Sequence, residues 1–270
     1  MRKPIALTAS GERRVKLSAV LYWLGAGWRD LWRHPLPGLL HGFAFVLVGW
    51  ALLLFAADKF WLLAGAYSGF LIVAPVAVTG LYEISRRLGM GHKMTMRQVV
   101  AVWRGADRRL VAFGLFLGLA GSGWVLTSAG LITLFAEQPI QKPLDFLRHV
   151  VLGSEGWLFS VWLFMGGVLA APMFASSVIS IPMLLDKPVS LRQALSVSWV
   201  VCSSHPDVMA LWAFILMALV GLGMLSGLLG LVVIVPWLAH ASWHVYRELV
   251  PANMIDPVAG SQTPGGRDGS

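Results

Sequence analysis

Long charge-free apolar runs alternate with short basic clusters along this chain. The first run covers about residues 36–57, and Asp58 and Lys59 then make a very short turn. Further runs cover residues 60–84, 110–136 and 157–185. A helix crossing the hydrocarbon core needs about 20 mostly apolar residues, so each run is long enough for one span. The last run, residues 208–246, holds no Asp, Glu, Lys or Arg. As one helix it would be about 58 Å long, against a core of about 30 Å. It therefore reads as two spans, near 208–225 and 227–246, with the turn around Gly221, Gly223, Ser226 and Gly227. The predicted fold class is all-α: a polytopic membrane protein with six transmembrane helices in a domain over residues 17–250. Residues 1–16 form a basic N-terminal segment without the apolar h-region of a cleavable signal peptide. Residues 251–270, rich in Pro, Gly and Ser, read as a disordered tail.

Three stretches before the odd-numbered spans share a second pattern. In residues 17–33, Leu17, Leu21, Leu24, Trp28 and Leu31 recur at helical spacing, with Arg29 and Arg33 off that stripe. Burying the charges of this stretch in a spanning helix would be costly, so it is predicted to lie on the membrane as an amphipathic cytoplasmic-surface helix. The second and third stretches open with Thr95-Met-Arg-Gln98 and Ser190-Leu-Arg-Gln193. Both match the capping box, a hydroxyl N-cap with Gln at the third helical position. Each stretch also carries a Trp followed six residues later by a basic or imidazole side chain: Trp28/His34, Trp103/Arg109 and Trp199/His205. The even-numbered spans carry Pro75, Pro172 and Pro236 as candidate kinks. Together these features predict three helix-hairpin repeats, each a surface helix, a span and a Pro-containing span.

Composition agrees with the membrane reading. Hydrophobic residues make up 57% of the 270 and charged residues 13%, about half the charged share of a soluble domain. This excludes a secreted enzyme, a nucleic-acid-binding domain and a disordered scaffold. The net charge of +8 follows from basic residues that flank apolar runs, which suits anionic lipid rather than nucleic acid. Of the 21 Lys and Arg, Lys59, Lys142 and Arg148 fall on one side of the predicted spans and the rest on the other. The positive-inside rule then places both termini in the cytoplasm. Cys202 is the single cysteine, so no intramolecular disulfide can form.

The stretch Ser68-Gly-Phe-Leu, with Ala74-Pro75 and Thr79-Gly-Leu-Tyr-Glu-Ile-Ser-Arg-Arg87, resembles the bacterial membrane family DUF2189. So do residues 177–195 with their Ile-Pro-Met-Leu-Leu-Asp core, and Gly227-Leu-Leu-Gly-Leu-Val-Val-Ile-Val-Pro236 followed by residues 238–249. The resemblance covers roughly residues 20–250. It implies a six-spanning protein of the bacterial inner membrane and no catalytic assignment. Some family members carry the label of a cytochrome c oxidase subunit. The catalytic subunit of such an oxidase needs about six His ligands spread over a large bundle. Of the seven His here, only His41, His240 and His244 fall within predicted spans, so no haem–copper centre can be built from them.

Few residues remain as candidates for chemistry. His240 and His244 are four apart and share a helix face, the spacing of a metal or haem ligand pair. Their position near the cytoplasmic end of the sixth span also fits interfacial residues bonded to carbonyls or headgroups. Glu83 and His41 are possible functional polar groups, although Arg87 lies four residues after Glu83 and makes an ordinary helix pair. The pairs Gly38/Gly42, Gly65/Gly69, Gly114/Gly118 and Gly223/Gly227 allow close helix packing. No phosphate loop, HExxH, nucleophile elbow or CxxC is present. The leading expectation is a non-enzymatic structural, lipid-interacting or accessory protein with no cofactor. Its partners would be membrane lipids, with a membrane protein or a second copy as further candidates. The alternatives are a small-molecule transporter with a site between the repeats, and a haem- or metal-binding respiratory accessory protein using His240 and His244.

Overall fold

The computed structural model describes residues 6–7, 13–56, 65–66, 76–105, 107–153 and 156–250. Apart from connecting turns and loops, the described residues form helices and one two-residue antiparallel pairing of Ala6–Leu7 with Arg13–Arg14. In chain order the helices are α1 (Ala19–Arg33), α2 (Pro35–Ala56), α3 (Thr79–Gly89), α4 (Met96–Arg104) and α5 (Arg108–Phe135). A short α6 (Pro143–Phe146) runs into a π-helical turn, and α7 (Trp157–Ser177) and α8 (Ser180–Asp186) follow. The last described helices are α9 (Leu191–Ser204), α10 (Pro206–Leu225) and α11 (Leu231–Leu249).

Among the described residues, four stretches have the length and apolarity to cross a membrane: Pro35–Phe55, Arg108–Phe135, Trp157–Asp186 and Pro206–Leu225. They correspond to the first, third, fourth and fifth predicted spans. Most of the second predicted span, Pro75 included, lies outside the described residues. Helix α11 carries His240, His244, Arg247 and Glu248 beside its apolar residues and is not among the four.

Local signals explain the boundaries. Pro35 and Pro206 open α2 and α10, where the missing N–H costs nothing. Both capping boxes form: the Gln98 and Gln193 amides bond the hydroxyls of Thr95 and Ser190, whose own amides donate back to the Gln side chains. The turn between α10 and α11 passes through Gly227 and Leu228, both at positive φ. Gly221 and Gly223 lie inside α10 rather than in that turn. The fourth predicted span is interrupted between α7 and α8, where Ser198 of α9 accepts a hydrogen bond from the Ile179 amide and donates to the Ala175 carbonyl. In the apolar helices, Ser122, Thr127 and Ser160 return their hydroxyls to carbonyls four residues back, so none needs water.

Helix α1 has two faces. Of the predicted stripe, Leu17, Leu21 and Trp28 are exposed, Leu21 at 73%, while Leu31 is fully buried. The face packed on protein consists of Ala19, Val20, Trp23, Ala26, Gly27, Asp30 and Leu31. Asp30, expected in solvent with the other charges of this stretch, is 5% exposed. The reason is a second stripe at the same three- and four-residue spacing, which meets α11.

Glycines set the closest approaches. A Cβ on Gly27 would stand 2.8 Å from that of Ala241, so α1 and α11 touch backbone to backbone. A Cβ on Gly42 would collide with the Val232 carbonyl, and one on Gly38 would lie 3.3 Å from Pro236. Helix α11 is thus clasped by α1 and α2 through small residues, the usual route to close helix contact in lipid. Gly42→Leu is expected to wedge α2 from α11 and to lower stability by about 1–3 kcal/mol, the usual cost of overpacking. Gly118→Leu, at a position with no atom of the described residues within 4 Å, should leave the melting temperature in detergent unchanged. Equal melting temperatures for the two variants would contradict this packing.

Candidate functional site

Helices α1, α3 and α11 bring four polar side chains together at one end of the bundle. Asp30 comes from α1, Ser85 from α3, and His240 and His244 from α11, one turn apart. Asp30 Oδ2 accepts from Ser85 Oγ at 2.8 Å and from His244 Nε2 at 2.8 Å. Ser85 Oγ also lies 2.8 Å from His240 Nδ1. A serine hydroxyl has one proton, and here it goes to the carboxylate. His240 Nδ1 must then be the donor to Ser85, which leaves its Nε2 as a bare acceptor. His240 is fully buried, and this Nε2 has no hydrogen-bond partner among the described residues.

The carboxylate is stable here because its partners outweigh its burial. Burial alone would raise the Asp30 pKa, but the hydrogen bonds from His244 and Ser85 and the nearby imidazoles hold it below its ordinary value. Further bonds fix the same joint. Trp23 Nε1 donates to Glu248 Oε2 at 2.8 Å, Trp237 Nε1 donates to the Leu24 carbonyl at 2.8 Å, and the rings of Trp28 and Trp237 lie 5.2 Å apart.

The sequence-predicted residues fall into three groups. His240 and His244 are brought together and bond Ser85 and Asp30, which are themselves 2.8 Å apart. The wall opposite His240 Nε2 is α2, where a Cβ on Gly38 would lie 3.8 Å away. Groups of three or more His, Cys, Asp or Glu placed to hold a metal ion are absent among the described residues. His41 is buried on α2, and its Nδ1 donates to the Pro37 carbonyl at 2.8 Å. Glu83 stands apart from the histidines. It accepts two hydrogen bonds from Arg86 and one from Arg87, at 2.6–2.8 Å. Pro172 and Pro236 lie inside α7 and α11.

Asp30 and Ser85 were missed by reasoning from sequence. The usable signal for Asp30 was its place on the stripe Val20, Trp23, Gly27 and Leu31, where a carboxylate must be either buried and paired or out of register. Ser85 carries no such signal.

An all-helical bundle whose spans bury little of themselves, and whose buried acids among the described residues are all paired, is an integral membrane protein. Residues 62–186 match the model of the family DUF2189, described as a predicted integral membrane protein. No curated protein and no solved structure matches.

The Asp30 pKa gives the joint a defined pH dependence. A carboxyl depressed by folding stabilises the native state at pH values above its unfolded pKa, about 4. That stabilisation is lost as pH falls through the lower native value. Asp30→Asn is therefore expected to be less stable than the parent at pH 7, with the gap closing below about pH 4. Thermal unfolding in detergent across pH 3–7 checks this, and a gap independent of pH would refute it.

Proposed function

We propose that the protein is a non-enzymatic component of the bacterial inner membrane, with six spans and both termini in the cytoplasm, that works through lipid and protein contacts. The observation that carries this reading is the fate of the buried acids. Among the described residues Asp30, Glu83 and Asp186 are each closed by neighbouring side chains: Ser85 and His244 on Asp30, Arg86 and Arg87 on Glu83, and Tyr246 and Arg247 on Asp186. Acids that serve proton or ion transfer need an opening to their substrate, and these are closed by side chains, from other helices at Asp30 and Asp186 and from the same helix at Glu83. The outward face of α1 supports the lipid part of the reading. Leu17, Leu21, Tyr22, Trp28 and Trp32 are exposed there on a helix that also carries Arg29 and Arg33. Aromatic, leucine and arginine side chains on one helix suit the headgroup layer of an anionic leaflet.

Two measurements test this. Lipid mass spectrometry of protein purified in mild detergent should find anionic phospholipid retained, and Arg29→Gln with Arg33→Gln should lower it several-fold. Alkaline phosphatase fused after residue 250 should be inactive, and a fluorescent protein there bright. Stoichiometric haem or transition metal lost on His240→Ala would overturn the reading in favour of a redox role, and active phosphatase would overturn the topology.

A further inference from the structure

The helices pack in a cyclic order that the chain order does not suggest. Grouped by the sequence repeat, the first set holds α1, α2 and α3, the second α4, α5, α7 and α8, and the third α9, α10 and α11. Helix α4 packs on α3 and helix α9 on α7 and α8, so each sits on the set before its own. Helix α1 has no set before it, and it packs on α11, at the end of the last. The inner arms α3, α8 and α11 touch one another pairwise. Counted nine residues from Pro75, Pro172 and Pro236, they contribute Ile84, Ile181 and Val245, each fully buried.

The links between sets repeat as well. His34 Nε2 donates to the Met94 carbonyl, immediately before the N-cap Thr95. Arg109 donates to the Val189 carbonyl, immediately before the N-cap Ser190. In both, the residue six places after the Trp holds the chain at the start of the next surface helix.

We propose that the three sets form a closed ring and that Asp30 is the lock of the joint that closes it. The two other joints connect segments close in sequence, so α4 and α9 find their partner helices already made. Helix α1 is made first and its partner α11 last, and their bonded residues lie up to 225 positions apart. An apolar helix kept waiting that long can dock on any apolar surface. A carboxylate in its docking face penalises every site without donors, because an unpaired buried charge is costly. The site on α11 and α3 supplies two, from His244 and Ser85. The positions equivalent to Asp30, two after the Trp, are Gly105 and Val201 in the other sets, and neither is ionisable. This inference concerns assembly and stands independently of the lipid role.

The test uses the full chain with Cys202→Ser, in native membranes. Trp28→Cys and Trp237→Cys, where the parent rings lie 5.2 Å apart, are joined by a short bifunctional thiol reagent. Most of the protein should become cross-linked. Adding Asp30→Asn should slow cross-linking several-fold, and adding Arg29→Gln, on the outward face, should not. A second pair, Ser176→Cys with Trp199→Cys, follows the α9 joint and should react unchanged in the Asp30 variant, so that a local loss is separated from general misfolding. Failure of the first pair to cross-link without Asp30→Asn would overturn the ring. An unchanged rate with Asp30→Asn, or equal losses at both joints, would overturn the lock.

Discussion

The arrangement of the described bundle depends on one buried carboxylate. Asp30 is 5% exposed on a helix whose opposite face is apolar and open. A charge in that position must be met by donors, and the requirement fixes several things at once. It sets the rotation of α1, since only one face can carry Asp30 inward. It sets the phase of α11, since His244 must reach Oδ2 while His240 lies one turn away. It fixes the tautomer of His240 through Ser85. The small residues at the joint permit the approach that these bonds need: Gly27 against Ala241 brings the two backbones into contact.

Much of this was legible from residue pattern alone. Apolar runs gave the helices of the described spans, Pro35 and Pro206 their starts, and Thr95 and Ser190 their caps, because these are local effects that neighbouring residues decide. The break between α7 and α8 was not legible. It depends on Ser198, 19 residues beyond the Ile179 amide that it accepts from, and no local rule calls for a helix to pause there. The packed face of α1 was missed for a related reason. Two apolar stripes run along that helix, and a periodicity argument follows the one richer in leucine. Leu17 and Leu21 of the leucine stripe face outward, while Leu31 belongs to the packed face. On that face Ala26 and Gly27 allow close approach to α11, and Trp23 and Leu31 fill the space beside it.

The candidate site was half legible. The spacing of His240 and His244 marked one helix face, but spacing alone cannot say what that face meets. The two rings bond a serine and a carboxylate from separate helices, 155 and 214 positions away. Glu83 was more readable, since its partners Arg86 and Arg87 lie within one turn and the pairing needs no tertiary information.

This difference bears on what the polar residues do. Glu83 could change partners without moving a helix, because its whole pairing is carried by α3. Asp30 has no such freedom, since each of its bonds crosses to another helix and every bond made is also a statement of where that helix lies. A buried ion or hydrogen-bond cluster adds little net stability over well-packed apolar residues. Its contribution is discrimination: it makes the wrong neighbour much worse than the right one. In a chain whose first described helix must find its last, and whose surfaces are mostly apolar, discrimination is the scarcer quantity, and the polar cluster lies at the joint where that need is greatest.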